Sequence, residues 1–396
     1  MTENNNKRDG FGSKLGVIAA AAGSAIGLGN IYRFPCELGA NGGAAFLLVY
    51  LGVVLVLGVP VMLSEFVIGR RAQSNSVGAF KKLAPHTPWP FVGYMGVLCG
   101  FIILAFYSTV SGWTLEYIYK SVANDFAGKD LKTIEQGFAD FHDMGWRNVM
   151  WQAIFLILTA FVVYKGVQKG IEKYTKVLMP LLLLILIVLG VRSVMLPGGV
   201  EGLKFLFKPD FSKLTSDVVI SALGQGFFSL SVGMGVLITY GSYISKSDNL
   251  VSTAFSVTLS DTLVAVLAGI VIFPAAFSFG IQPTAGMGLV FNTLPMIFNS
   301  MTGGYVICIV FFVLLAIAAL TSTISLLEVI VAYISEEFGI SREKSTVVGA
   351  LLTLVLGVFA SLSLVEGTPF TIFGTTVVAN FSSGISILIS SANLCN

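Results

Sequence analysis

Long apolar stretches separated by short polar loops run the length of the chain. A membrane helix needs about 20 apolar residues. Windows of that kind fall at 12–38, 41–68, 90–120, 147–165, 174–196, 217–243, 251–279, 303–335 and 346–364, and a weaker tenth covers 370–392. Residues 1–10 are polar, the charged stretch 121–146 belongs outside the membrane, and 280–302 is too polar and Gly/Pro-interrupted to span, which predicts a re-entrant or surface loop. Two spans are interrupted at their centres. The first runs Ala19-Ala-Ala-Ala-Gly-Ser-Ala-Ile-Gly-Leu-Gly-Asn30 into Ile31-Tyr-Arg-Phe-Pro35, so Gly23, Gly27 and Gly29 weaken the helix where Asn30 and Arg33 add an amide and a charge. The other reads Gln225-Gly-Phe-Phe-Ser-Leu-Ser-Val-Gly-Met-Gly235. In hydrocarbon an unpaired backbone group is costly, so irregular backbone survives only where it lines a protein cavity. A charge there marks a functional site by default.

Five spans precede the second interruption, so the broken helices are the first of each five-helix half. Corresponding breaks in two halves point to an inverted-repeat transporter with its site at the midplane. One glycine-rich helix alone would read as close helix packing. The expected organisation is a tail at 1–10, repeats at 11–196 and 217–392 with a degenerate last helix, and an end segment at 393–396. A signal peptide ending at the Ala-Ala-Gly-Ser-Ala run is set aside, because the rest of the chain is equally apolar.

Composition supports the membrane reading. Apolar residues make up 55% and charged residues 11% of 396, against about 25% charged in soluble domains. The net charge of +2 comes from scattered basic residues without a stripe, which excludes nucleic acid as a partner. With the N-terminus inside, cytoplasmic segments hold fourteen Lys and Arg and the opposite side eight, with Arg33 in the membrane, so the N-in topology fits. Cys36, Cys99, Cys308 and Cys395 lack metal-ligand spacing, and His86 and His142 both lie in loops. Without a nucleophile–base pair or a metal cluster, an enzyme is not expected.

A sodium ion wants oxygen ligands, which an unwound turn supplies as carbonyls, while half-helix N-termini favour a carboxylate. Ala318-Ala-Leu-Thr-Ser-Thr323 and Thr258-Leu-Ser-Asp261 add oxygens from other spans. Hydroxyls in membrane helices more often bond their own helix. Asp261, a lone carboxylate in an apolar span, must be paired or protonated.

Gly23-Ser-Ala-Ile-Gly-Leu-Gly-Asn-Ile-Tyr-Arg-Phe-Pro35, Asn41-Gly-Gly-Ala-Ala-Phe46 and the segment Pro60 to Arg71 resemble the start of the neurotransmitter:sodium symporter family, bacterial amino-acid branch. The resemblance runs from about residue 8 to about 365. It implies an all-α polytopic membrane protein with a leucine-transporter-like five-plus-five inverted repeat. The implied function is sodium-coupled symport of a neutral hydrophobic or aromatic amino acid across a bacterial inner membrane. One sodium would use the backbone of Gly23, Ile26 and Ala318 with the hydroxyls of Thr321 and Ser322. A second would use the backbone of Ala25, Asn30, Ser229, Ser260 and the substrate carboxylate itself. The amino acid would lie across Ala25, Leu28 and Gly29, with Ile103, Tyr107, Phe228, Ser229, Ser231, Met234, Ser322 and Leu326 around it. Tyr107 and Phe228 would form the lid, Arg33 the outer gate, and Arg8, Tyr243 and Glu336 the cytoplasmic gate. Asp261 would replace chloride, so no chloride requirement is expected. Gly170 and Pro180 match a Gly-x9-Pro pattern linked to unwinding of the fifth helix. Two departures stand out. Ser24 occupies a position where the leucine transporter has asparagine, and no acidic residue follows Glu366, where the family's tenth helix carries the gate's Asp. The latter reads as truncation in the tenth helix, and the alternative function is a homologue that binds without transporting.

Overall fold

The computed structural model describes residues 10–280 and 289–365, and the backbone of 371–372 and 375–376. Among the described residues, seven helices are long and apolar enough to cross a membrane: Ala44–Ala72, Pro90–Val122, Gly145–Tyr164, Val167–Val194, Leu250–Ser278, Gly304–Phe338 and Arg342–Leu362. They are the second to fifth and seventh to ninth predicted spans. Outward-facing Leu55, Val56, Ile157, Leu184, Leu259 and Val355 are all more than half exposed. That is costly in water and natural against lipid.

The first and sixth spans are broken. Lys14–Ala25 and Gly29–Ala40 bend by 48° at the break between them. Ser13 caps the inner half by accepting the Gly16 N–H, and Ile26 turns extended at its end. Pro35, which cannot donate, sits where the wide helical turn Gly29–Arg33 passes into the tighter helix Phe34–Ala40. The sixth span splits into Ser216–Ser229 and Val236–Gly241. Between them Ser231, Gly233 and Gly235 take φ of 54°, 80° and 71°. Left-handed backbone is cheap for glycine and rare for serine. The Ser231 hydroxyl offsets this by donating to the Ser24 carbonyl at 3.2 Å.

The inner half of the first helix packs against the fifth, seventh and eighth spans, while the third and eighth spans pack extensively on each other. The broken helices therefore sit inside a shell of continuous ones. A buried polar seam braces that shell. The Gln152 amide donates to Ser108 Oγ at 2.9 Å and accepts from Ser361 at 2.9 Å.

Several expectations need adjustment. The loop at 121–146 contains the helix Leu131–Asp143, capped by Asp130, and short helices form at Ser76–Leu83 and Gly199–Phe207. Within 280–302, Leu289–Thr293 and Leu294–Asn299 are helical, and Val290, Phe291, Leu294 and Ile297 are fully buried, so this part is an inserted segment rather than a surface loop. Phe291 stacks on Phe138 of the outer helix, which also holds His142 against Trp113. Thr371–Ile372 and Thr375–Thr376 pair as a short antiparallel ladder, so the weak tenth span does not begin as a helix. The rest of it lies outside the described residues.

Candidate functional site

The two breaks face each other across a cavity of about 330 Å³, its open mouth included. Ala25, Gly29, Ile103, Tyr107, Phe228, Ser231, Met234, Ser322 and Leu326 line it, all of them anticipated from the sequence. Ser24, Gly27 and Ser325 line it as well. Glycine is required at 27, because a Cβ there would lie 2.2 Å from Ser322 Oγ and 2.6 Å from Tyr107 Oη. Leu28 is a neighbour rather than a lining residue. Its N–H donates to Tyr107 Oη at 2.8 Å, which draws Tyr107 over the break. The pocket floor is a hydroxyl cluster: Ser24 donates to Ser325 at 2.7 Å, and Ser322 donates to the Ser24 carbonyl at 3.2 Å. On the side of Phe34–Ala40, Phe228 supports Arg33, whose guanidinium carbon lies 4.8 Å from the ring centroid.

Two oxygen clusters flank the cavity. In the first, Asp261 is fully buried. The Ser229 hydroxyl donates to its two carboxylate oxygens at 2.9 and 3.0 Å, Asn30 Nδ2 donates at 2.7 Å, and Tyr50 donates at 3.2 Å. Asn30 Oδ1 accepts the Gly27 N–H at 3.0 Å, pinning the amide to the break. The Ser260 hydroxyl donates to the Ser256 carbonyl of its own helix at 2.8 Å. Tyr50, from the second span, had no sequence signal beyond its aromatic character.

In the second cluster, Thr321 and Ser322 both point at the Ile26 carbonyl, at 3.4 and 3.5 Å. Thr321 also donates to the Ala318 carbonyl at 3.0 Å. Gly23 faces Thr321, which a Cβ at 23 would meet at 3.4 Å. The charge-free oxygens of Ile26, Ala318, Thr321 and Ser322 are thus within one coordination sphere of each other, the chemistry a small hard cation requires.

Other carboxylates hold the elements around the site. Glu65 Oε1 accepts the Gly233 N–H at 2.7 Å and so holds the unwound part of the sixth span. Near the start of the first helix, the Tyr243 hydroxyl donates to Glu328 at 2.6 Å, and Glu328 is paired with Arg342. Glu336 accepts from Ser74 and Asn75 at 3.0 and 2.8 Å. Arg8 lies outside the described residues. Glu172, in the wide turn at Val167–Glu172 that includes Gly170, accepts the Gly12 N–H at 2.7 Å and pairs with Lys176. Pro180 lies inside the following helix. In the outer loop, burial pushes His142 from 6.5 down to about 4, against the raising effect of Asp143.

Broken helices around a cavity flanked by oxygen clusters are the architecture of a secondary transporter. Residues 8–131 and 123–395 match the SNF, or sodium:neurotransmitter symporter, family, and this chain belongs to it. It is 41% identical over 386 residues to the uncharacterized sodium-dependent transporter YhdH of Bacillus subtilis, covering 97% of this chain and 86% of that protein. A sodium-dependent transporter of Methanocaldococcus jannaschii, also uncharacterized, is 33% identical, with 97% of this chain and 80% of the relative covered. The crystal structure of MhsT in complex with L-phenylalanine superposes with a TM-score of 0.89 at 47% identity, covering 96% of this chain and 88% of that one. The chain therefore has the leucine-transporter-type fold with broken first and sixth helices. It is a multi-span membrane protein of a family of sodium-dependent transporters, not of enzymes.

Proposed function

We propose that this chain couples sodium entry to import of one neutral, hydrophobic or aromatic amino acid across the cytoplasmic membrane, with its N-terminus inside. The carrying observation is the cavity between the two breaks. Its surroundings are polar along the unwound backbone and apolar at Ile103, Phe228, Met234 and Leu326. The outer half of the first helix presents its N-terminus to the cavity, and the inner half of the same helix and the outer half of the sixth present C-termini. A positive dipole end suits a carboxylate and negative ends suit an ammonium group or a cation. An amino acid provides both charges at fixed spacing. No charged side chain lines the apolar end, so a charged substrate side chain would be buried unpaired there.

Two sodium sites are assigned. One is the charge-free set of Gly23, Ile26, Ala318, Thr321 and Ser322. The other is at Ala25, Asn30 and Ser229 beside Asp261, with the substrate carboxylate completing its shell. Asp261 takes Ser260's place as the nearest polar side chain of the seventh span, and its fixed charge removes the need for chloride. Shared ligands make the coupling reciprocal, since each ligand raises the affinity for the other by the same factor. Phenylalanine is the bound ligand of the MhsT relative and is the first probe to use.

The test is binding of labelled L-phenylalanine to the purified full chain in sodium and in choline. Binding is expected in sodium alone, with leucine, methionine, tyrosine or tryptophan competing and glutamate and lysine inert. Met234→Phe should move the preference toward smaller residues. Equal binding in both salts, or a screen won by a charged amino acid, would overturn the assignment.

A further inference from the structure

Glu37 lies one helical turn beyond Arg33 on the outer half of the first helix, and its two carboxylate oxygens have different duties. Oε1 lies 3.5 Å from Arg33 Nε. Oε2 accepts from Ser221 Oγ at 2.6 Å and from Asn41 Nδ2 at 3.3 Å. Ser221 belongs to the outer half of the sixth span, Ser216–Ser229. Asn41 closes the triangle by donating to Ser221 Oγ at 3.2 Å. On its other side, the Arg33 guanidinium lies over Phe228, the ring that lines the cavity. One continuous line of contacts therefore runs from the sixth span through Glu37 and Arg33 to the roof of the pocket.

We propose that Glu37 is a positioning residue of the outer gate, which aims Arg33 over Phe228 and ties the outer halves of the two broken helices together. The contacts divide the work. The Ser221 hydrogen bond to a charged oxygen is short and of the strong, charge-assisted kind. The ion pair with Arg33 is longer and partly exposed, with side-chain exposures of 19% and 29%, so salt screens it. Separating the outer halves breaks the Glu37–Ser221 bond and lifts Arg33 off Phe228, while the Arg33–Glu37 pair lies within the first helix and aims the guanidinium. Keeping them together slows escape of an amino acid through the roof, without Glu37 touching that amino acid. The inference rests on the proposed reading of Arg33 as the outer gate.

The experiment measures release of labelled L-phenylalanine from the sodium-loaded full chain after dilution into unlabelled ligand, at low and high choline chloride with sodium fixed. Glu37→Gln keeps the shape and a bond to Ser221 but loses the charge. It should speed release by about three- to tenfold, the range for a partly exposed ion pair with a charge-assisted hydrogen bond. Release from the unsubstituted chain should quicken with added salt, whereas release from the Gln variant should not, a difference that a purely structural role for Glu37 would not produce. Ser221→Ala should also speed release and should keep the salt response, because the ion pair is intact. If Glu37→Gln does not purify folded, Ser221→Ala decides the case. Release within twofold of the unsubstituted rate in the folded variants, with unchanged salt response in Glu37→Gln, overturns the inference. If the unsubstituted chain shows no sodium-dependent binding at all, the proposed function fails first and removes this inference with it.

Discussion

The oxygen cluster around Asp261 and the one around Thr321 lie on opposite sides of one cavity, yet they obtain their negative potential differently. Asp261 brings a full charge, buried and held by Asn30, Ser229 and Tyr50. The Thr321 cluster has only carbonyl and hydroxyl dipoles, exposed to each other because the first helix stops at Ile26. A buried charge stripped of its partners costs far more than a lost dipole. The first cluster should thus be intolerant of change and independent of external anions, and the second should be weaker and tunable.

The largest expected effect follows from removing the fixed charge. Asp261→Asn should cost about 3 kcal/mol, roughly two orders of magnitude in apparent sodium affinity, and substrate binding should fall with it. Asp261→Ser should be similarly impaired, and added chloride should restore part of the loss, since it can return the missing charge. A silent Asp261→Ser, or a chloride requirement in the unsubstituted chain, would erase the difference between the clusters. Titrating sodium against a fixed substrate concentration reads both outcomes.

A smaller effect is expected on the other side. Thr321→Ala removes one hydroxyl from a set of five charge-free oxygens and should cost about 1 kcal/mol, roughly fivefold in sodium affinity. Chloride should rescue nothing there. A loss as large as that of Asp261→Asn would show that the second cluster carries more than dipoles.

Much of this contrast was legible in the sequence. Gly27, Gly29 and Asn30 announce a break, and the apolar runs around them leave the membrane as the only solvent that fits. Asp261 was conspicuous as a lone carboxylate. Its neighbour Ser260 was expected beside Asn30 and bonds its own helix through the hydroxyl, about 100° around the helix from Asp261. Helical phase is invisible when both positions are polar. Tyr50 and Glu65 were missed because their partners, Asp261 and Gly233, lie far away in sequence. Leu131–Asp143 was missed because its signal is amphipathic and capped rather than uniformly apolar. Glu37 resembles any charge near a helix end until Ser221 of another span is placed beside it.

The smallest expected effect is a control on the comparison. His142 is buried in the outer loop and titrates near 4 when folded, against 6.5 as the ordinary value. Between those pH values the unfolded chain takes up the proton and the folded one does not, so stability falls as pH drops from about 6.5 toward about 4. The melting temperature should decline over that window, and His142→Phe should flatten the decline. The ratio of the Asp261 and Thr321 effects should stay the same, because the outer loop belongs to neither cluster. A ratio that moves with His142 would tie the loop to the ion sites.

The central claim is that sodium held at these clusters drives an amino acid across the membrane. Uptake of labelled L-phenylalanine into proteoliposomes containing the full chain, in chloride-free buffer with an inward sodium gradient, tests it most directly. Concentrative uptake that collapses when the gradient is dissipated, and that Asp261→Asn abolishes, is the predicted result. Uptake that is equal with and without the sodium gradient, or sodium-dependent binding with no uptake, would contradict it.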